Sequence, residues 1–159
     1  VGCARPGAKA PAGYDVHHRS VLLGGADVWE RAKAAIDAWE MFSMGWVNLD
    51  VDGPPTPGGL AVVQARLGPF RLSNPCRVIE CYDTASHFGF IYGTLAGHAM
   101  KGEERFSVHL TQEGVRYEIL AYSRPASVLA RLGRPIVRSL QYQFGTQSMA
   151  AMRNAVSQD

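Results

Sequence analysis

The sequence predicts an α+β fold in which a curved antiparallel sheet wraps a long C-terminal helix around an internal cavity. Three observations carry it. Strand-like runs of about eight residues follow one another through the second half of the chain, an amphipathic helical segment precedes them, and a helix-length stretch closes the sequence. At 159 residues the chain has the size of one ordinary domain and is read as a single domain over 1–159.

The elements follow in order. Residues 1–14, VGCARPGAKAPAGY, are rich in Gly, Pro and Ala without periodicity and read as an extended N-terminal arm. DVHHRSVLLG has strand character and ends at Gly24-Gly25, with His17 and His18 pointing to opposite faces as an ordinary strand pair. From Ala26 to about Phe42, Trp29, Ala32, Ile36 and Trp39 recur at helical spacing, and the tryptophans read as packing bulk against a sheet. WVNLDVDGPPTPGG gives a short extended piece and then a loop.

Five strands are expected next, in LAVVQARLG, PCRVIECYD, HFGFIYGTL, ERFSVHLTQ and VRYEILAYS. Turn formers such as Asn74-Pro75 and Glu113-Gly114 separate them, and the short connections make an antiparallel meander. Ser127 can cap a short helical turn interrupted at Gly133, and Pro135 suits the first turn of a final helix. That helix runs to about Val156 with the stripe Ile136, Leu140, Phe144, Met149 and Met152. Such an element order is that of a helix-grip domain, with a cavity between sheet and last helix.

Composition narrows function by exclusion. Hydrophobic residues make up 47% and charged residues 19%, and the formal charge is +2, far from the basic excess of a nucleic-acid binder. No apolar run approaches twenty residues, so neither a membrane span nor a leader is expected. Three cysteines at unremarkable spacing point to a reducing compartment and a cytoplasmic protein. Motifs for zinc, nucleophile-elbow, phosphate-loop and dinucleotide chemistry are missing, so no metal and no cofactor is expected.

The densest chemistry lies in GFIYGTLAGHAMKGEERF, Gly89 to Phe106. In EERFSVHLT, the apolar positions Phe106, Val108 and Leu110 define an inner face that Glu104 shares, whereas Glu103, Arg105, Ser107 and His109 alternate toward solvent. Along HFGFIYGTL, Phe90, Tyr92 and Thr94 line the same side, and Tyr117 and Phe144 complete the expected wall from the last strand and the last helix. His98 sits in the glycine-bounded turn as acid, base or turn residue. For CRVIECY the inner face is open between Cys76, Val78, Glu80, Tyr82 and the set Arg77, Ile79, Cys81, with the first preferred. Arg124 is expected to anchor the junction that follows the last strand.

VGCAR, PAGY, LGPFR, PCRVIE, GFIYGTLAGHAMKGEERF and AYSRPASVLARLGRPIVRSLQ together resemble the DUF1990 family, also called UPF0548, nearly end to end. The resemblance implies a START or Bet v 1-like fold, whose members bind hydrophobic small molecules and include polyketide cyclases; the sequence is also similar to spiroketal cyclases of the ossamycin and reveromycin type. Where Glu80 stands, the family more often carries an aromatic or aliphatic residue.

The expected function is therefore a cofactor-free cyclase of polyketide biosynthesis, most concretely acid-assisted spiroketal formation from a hydroxyketone or hemiketal. Glu104 and Glu80 would be its acids, assisted by His98 and Tyr92. A protein that binds a hydrophobic small molecule or lipid without transforming it is the alternative. The expected partner is a hydrophobic polyketide-like molecule, the protein itself being a monomer or homodimer.

Overall fold

The computed structural model describes residues 2–5, 7–8, 11–127 and 134–157. Seven antiparallel strands form one sheet: β1 (Asp15–Gly24), β2 (Val47–Val51), β3 (Leu60–Leu67), β4 (Phe70–Asp83), β5 (His87–Thr94), β6 (Met100–Thr111) and β7 (Gly114–Pro125). Their order is β1-β7-β6-β5-β4-β3-β2. The meander β2 to β7 is thus closed at its far edge by β1, which returns alongside β7. Helix α1 (Trp29–Asp37) and helix α2 (Arg134–Ser157) pack on the inner face, with short 3₁₀ turns at Ala26–Val28 and Glu40–Phe42.

Alternation explains most of this. Phe90 and Tyr92 from β5, Phe106 and Val108 from β6, and Tyr117 and Ile119 from β7 point inward and join Ile36, Trp39, Phe42, Met152 and Val156 in one core. Trp39 is core, as its spacing predicts: it opens the 3₁₀ turn after α1 in a left-handed conformation (φ 57°), meets the Phe90 ring edge-on at 4.6 Å and donates its indole N–H to Gly53 O at 2.9 Å. The Tyr117 hydroxyl meets Ser148 Oγ at 2.9 Å, tying α2 to the sheet by a fully buried hydrogen bond.

Three local expectations change, and a fourth is not covered. The short extended piece after Trp46 is a paired strand, β2. Asn74-Pro75 is no turn: it lies within β4, which starts at Phe70 after a hairpin whose Gly68 has φ 58°. Ile136 is 65% exposed instead of facing the sheet, because the first half of α2 turns Val137, Gln141 and Phe144 to the cavity and leaves Ile136 outside that face. The helical turn expected after Ser127 falls on 128–133, outside the described residues.

The largest departure concerns the outer face. Glu103, Arg105 and Ser107 do point outward, yet all three are buried. Cys3, Ala4 and Tyr14 of the N-terminal arm, with Ile91, Tyr122, Ile79, Tyr82 and Leu120, form a second apolar cluster over that face. Glu103 accepts the backbone N–H of Gly2 at 2.7 Å and of Ala4 at 3.2 Å, and Arg105 donates to Ala4 O at 3.2 Å and to Glu118. Arg124 stacks over the Tyr14 ring, 5.2 Å from its centroid, and so secures the arm at the end of β7.

Candidate functional site

Between the sheet and the first half of α2 lies a cavity of about 340 Å³, within the range of small-molecule sites. Glu104, Tyr92, Thr94 and His98 line it from the strands and the β5–β6 turn, and Phe144 lines it from α2. Its mouth is marked by lining residues that also face bulk water, Tyr142 at 65% exposure and Leu72 at 40%.

Glu104 and Tyr92 are opposed partners across β6 and β5, so both side chains leave the same face of adjacent strands. The Tyr92 hydroxyl donates to Glu104 Oε2 at 2.9 Å. Protein encloses Glu104, and the surface it keeps belongs to the cavity. Burial raises its pKa from 4.5 to about 7, the Tyr92 hydrogen bond pulling it back only in part. The carboxyl group is consequently divided between protonated and ionised forms at neutral pH. Tyr92 itself is driven well above the usual phenol range by burial and by the adjacent carboxylate, and remains a donor.

His98 faces the same space with a different endowment. Its Nδ1 accepts the Met100 N–H at 2.9 Å, which leaves the proton of the neutral ring on Nε2. Burial lowers its pKa to about 4, so near neutrality it is an uncharged hydrogen-bond donor and neither a cationic acid nor an efficient base. The turn that carries it is made at Gly97, φ 95°. Beyond it, Gly102 lets β6 approach β7 closely, since a β-carbon there would stand 1.9 Å from Tyr122 O. The Thr94 hydroxyl accepts the Gly102 N–H at 3.0 Å and so fixes the start of β6 while lining the cavity.

Glu80 is a correction. A bulge between Val78 and Glu80 inserts Ile79, so the alternation reverses partway along β4. Cys76 and Val78 face inward and Cys81 joins them, while Ile79, Glu80 and Tyr82 lie outside. Neither of the two sets left open by the sequence survives whole. Glu80 instead receives a hydrogen bond from Arg5 Nε at 2.6 Å on the outer face, away from the cavity. Phe90, Phe106 and Tyr117 are corrected too. They are essentially inaccessible and form the packed floor beneath the cavity, the Phe106 ring tilted against Phe42 at 5.3 Å and edge-on to Tyr92 at 5.4 Å.

Several lining residues escape the sequence reading. Phe42, in a 3₁₀ turn, stacks at 5.3 Å on Phe144. Trp46, just before the edge strand β2, lines the cavity and donates to Gln147 Oε1 at 2.6 Å, which ties that edge of the sheet to α2. Gln141 donates to Ser123 Oγ at 3.3 Å. His17 and Arg19 line the cavity from β1. A signal for these last two existed, because strand alternation places them on the face of Val21, a residue apolar enough to define the inside. Among the described residues no group of His, Cys, Asp and Glu is arranged to hold a metal ion, and no helix is long and apolar enough to cross a membrane.

Comparison with solved structures places this architecture among proteins of the same fold. Ara h 8.0201 superposes with TM-score 0.63 at 11% identity, covering 91% of this chain and 98% of that one. Norcoclaurine synthase from Thalictrum flavum, in complex with dopamine and hydroxybenzaldehyde, gives TM-score 0.57 at 14% identity over 91% of this chain and 84% of its own. At the level of sequence, a UPF0548 protein of Arabidopsis thaliana is 33% identical over 153 residues, 91% of this chain and 75% of the relative. One from Dictyostelium discoideum is 31% identical over 159 aligned positions, 90% of this chain and 73% of the relative. The family model described as Domain of unknown function (DUF1990) matches residues 1–151. By its relatives and by that match, the chain belongs to the DUF1990 (UPF0548) family.

Proposed function

We propose that this protein is a cofactor-free cyclase acting on an apolar, oxygenated, polyketide-like small molecule held between sheet and α2, and that its most concrete reaction is spiroketal formation from a hemiketal. The observation that supports this reading is a single one: a carboxyl group with a pKa of about 7, hydrogen-bonded to a phenol, facing a mostly aromatic and aliphatic cavity. With Glu80 outside, one carboxyl group serves both steps. Tyr92 occupies Oε2, so the mobile proton resides on Oε1. Protonated Glu104 transfers it to the hemiketal hydroxyl, which leaves as water with its bonding pair. The resulting carboxylate stabilises the oxocarbenium ion and accepts the proton of the attacking hydroxyl as the second C–O bond forms. Glu104 ends as it began, and the cavity fixes which face closes.

His98 Nε2–H is placed to donate to a ligand oxygen without competing for the proton. The three free cysteines agree with a reducing, cytoplasmic setting. A protein of this fold is a synthase crystallised with dopamine and hydroxybenzaldehyde, which supports a reading in which this architecture acts on small organic molecules. Incubation with a synthetic dihydroxyketone, followed by chiral chromatography, tests the reading. The parent protein is expected to give one spiroketal stereoisomer faster than buffer, and Glu104→Gln to give the buffer rate and mixture. Parent rates in Glu104→Gln exclude the carboxyl mechanism. Saturable binding of the ketone with no turnover by the parent establishes the second reading, a binding protein, which the largely apolar lining also supports.

A further inference from the structure

At the mouth of the cavity, β1 carries Asp15, His17 and Arg19 at alternate positions, which places their side chains on one face. Arg19 crosses from β1 to α2. Its guanidinium carbon lies 4.4 Å from the centroid of the Tyr142 ring, a stacked cation–π arrangement. Gly145, one turn further along α2, makes room for it: a β-carbon at that position would stand 2.5 Å from Arg19 Cδ and 2.7 Å from its Nε. The side chain is thereby held in a notch of the helix while its guanidinium borders the cavity.

Charges around it are unequal. Arg138, on α2, also lines the cavity and pairs with Asp15 Oδ1 at 3.5 Å. Among the described residues Arg19 has no carboxylate within ion-pair distance, so a positive charge remains uncompensated at the mouth. Two residues before it on β1, His17 Nε2 is buried and has no hydrogen-bond partner among the described residues. Burial lowers the His17 pKa; Asp15 pulls it up and Arg138 and Arg19 push it down, so near neutrality the ring is uncharged and in its Nε2–H form can donate.

The geometry points to an apolar ligand that carries a carboxylate: the anionic end sits against Arg19 with His17 Nε2 beside it, and the apolar body runs inward toward Glu104. This rests on the sheet–helix cavity being the ligand site proposed above. One planar guanidinium fork and one neutral imidazole match a single negative charge spread over two coplanar oxygens, whereas a phosphate dianion calls for more cations than the mouth supplies.

Octanoate and methyl octanoate separate the charge from the chain, and isothermal titration of the whole protein measures both. Octanoate is expected to bind about tenfold or more tighter than the ester, the range of a charge-assisted hydrogen bond. Arg19→Gln is expected to erase that preference, so that acid and ester bind alike, and Arg19→Lys to retain part of it. Gly145→Ala removes no charge but fills the notch, and should reduce the preference as well. Equal binding of acid and ester by the parent overturns the anchor and leaves the cavity reading standing, whereas binding of neither overturns both. A preference that survives Arg19→Gln and Gly145→Ala alike also overturns it.

Discussion

Glu103 and Glu104 are consecutive on β6, yet they have opposite chemistry. Glu103 leaves the outer face and is buried beneath the N-terminal arm; burial alone would raise its pKa, but donors at Cys3, Ala4 and Gly2 outweigh that and hold it below the ordinary value. Glu104 leaves the inner face, has only Tyr92 as a donor among the described residues, and burial carries its pKa to about 7. Two neighbouring carboxyl groups, both withdrawn from bulk water, thus differ because one has its lone pairs satisfied by several donors and the other faces an apolar cavity. The first is suited to fixing structure, the second to exchanging a proton.

The strongest way to break this contrast is Glu104→Gln. Between pH 4.5 and about 7 the folded chain retains a Glu104 proton that the unfolded chain has released. Stability therefore falls as pH rises through that window, by at most about 3 kcal/mol, and stays reduced above it. His98 acts with the opposite sign: its pKa falls from 6.5 to about 4, so the unfolded chain binds the extra proton and stability rises with pH over nearly the same range. The two contributions oppose each other in the parent. Glu104→Gln is expected to uncover the His98 slope and to be more stable than the parent above pH 7 by up to about 3 kcal/mol, with little difference below pH 4.5. Urea unfolding at a series of pH values measures this, and a parent-like profile in the variant would show that the Glu104 pKa is not raised.

Glu103→Gln should do the reverse and destabilise. Its amide oxygen could accept only one of the Gly2 and Ala4 N–H groups and its amide nitrogen would face the other, leaving a buried donor without an acceptor at a cost of about 1–3 kcal/mol. Urea midpoints at pH 7 check the sign, and octanoate affinity should be unaltered because the arm lies on the other side of the sheet. A smaller effect is expected of Tyr92→Phe, which removes the one hydrogen bond that lowers the Glu104 pKa. The carboxyl should then titrate above the parent's value, as ¹³C NMR of labelled glutamate would record. Any loss of cyclase activity with rising pH should move upward with it. Least is expected of Glu80→Gln: its pair with Arg5 is exposed, so stability should change by no more than about 1 kcal/mol and product stereochemistry not at all.

Much of the architecture was legible from alternation and spacing, because inward residues of an amphipathic strand announce themselves by the company of Val, Ile and Phe. Tyr92 and Glu104 were placed correctly toward the cavity on that ground alone. The same rule failed for Glu80, since a bulge reverses the alternation and nothing in CRVIECYD marks Ile79 as the extra residue. It also set Phe90, Phe106 and Tyr117 along the cavity wall, where the structure packs them against one another; Phe42, arriving from a 3₁₀ turn, closes over Phe106 and makes that region solid core.

By itself, then, the sequence determined which face of each regular strand is apolar, that a long helix closes the chain, and that Glu104 shares the inner side with Tyr92. Those are local properties, set by side-chain period and turn chemistry. Only the tertiary structure decided that the arm buries Glu103, that Glu80 is outside, and that Gly145 gives Arg19 a seat on α2 at the cavity mouth. Each joins residues about 75 to 126 positions apart, and a contact over that distance is selected by the packing of the whole sheet against its helix, which no short window of sequence contains.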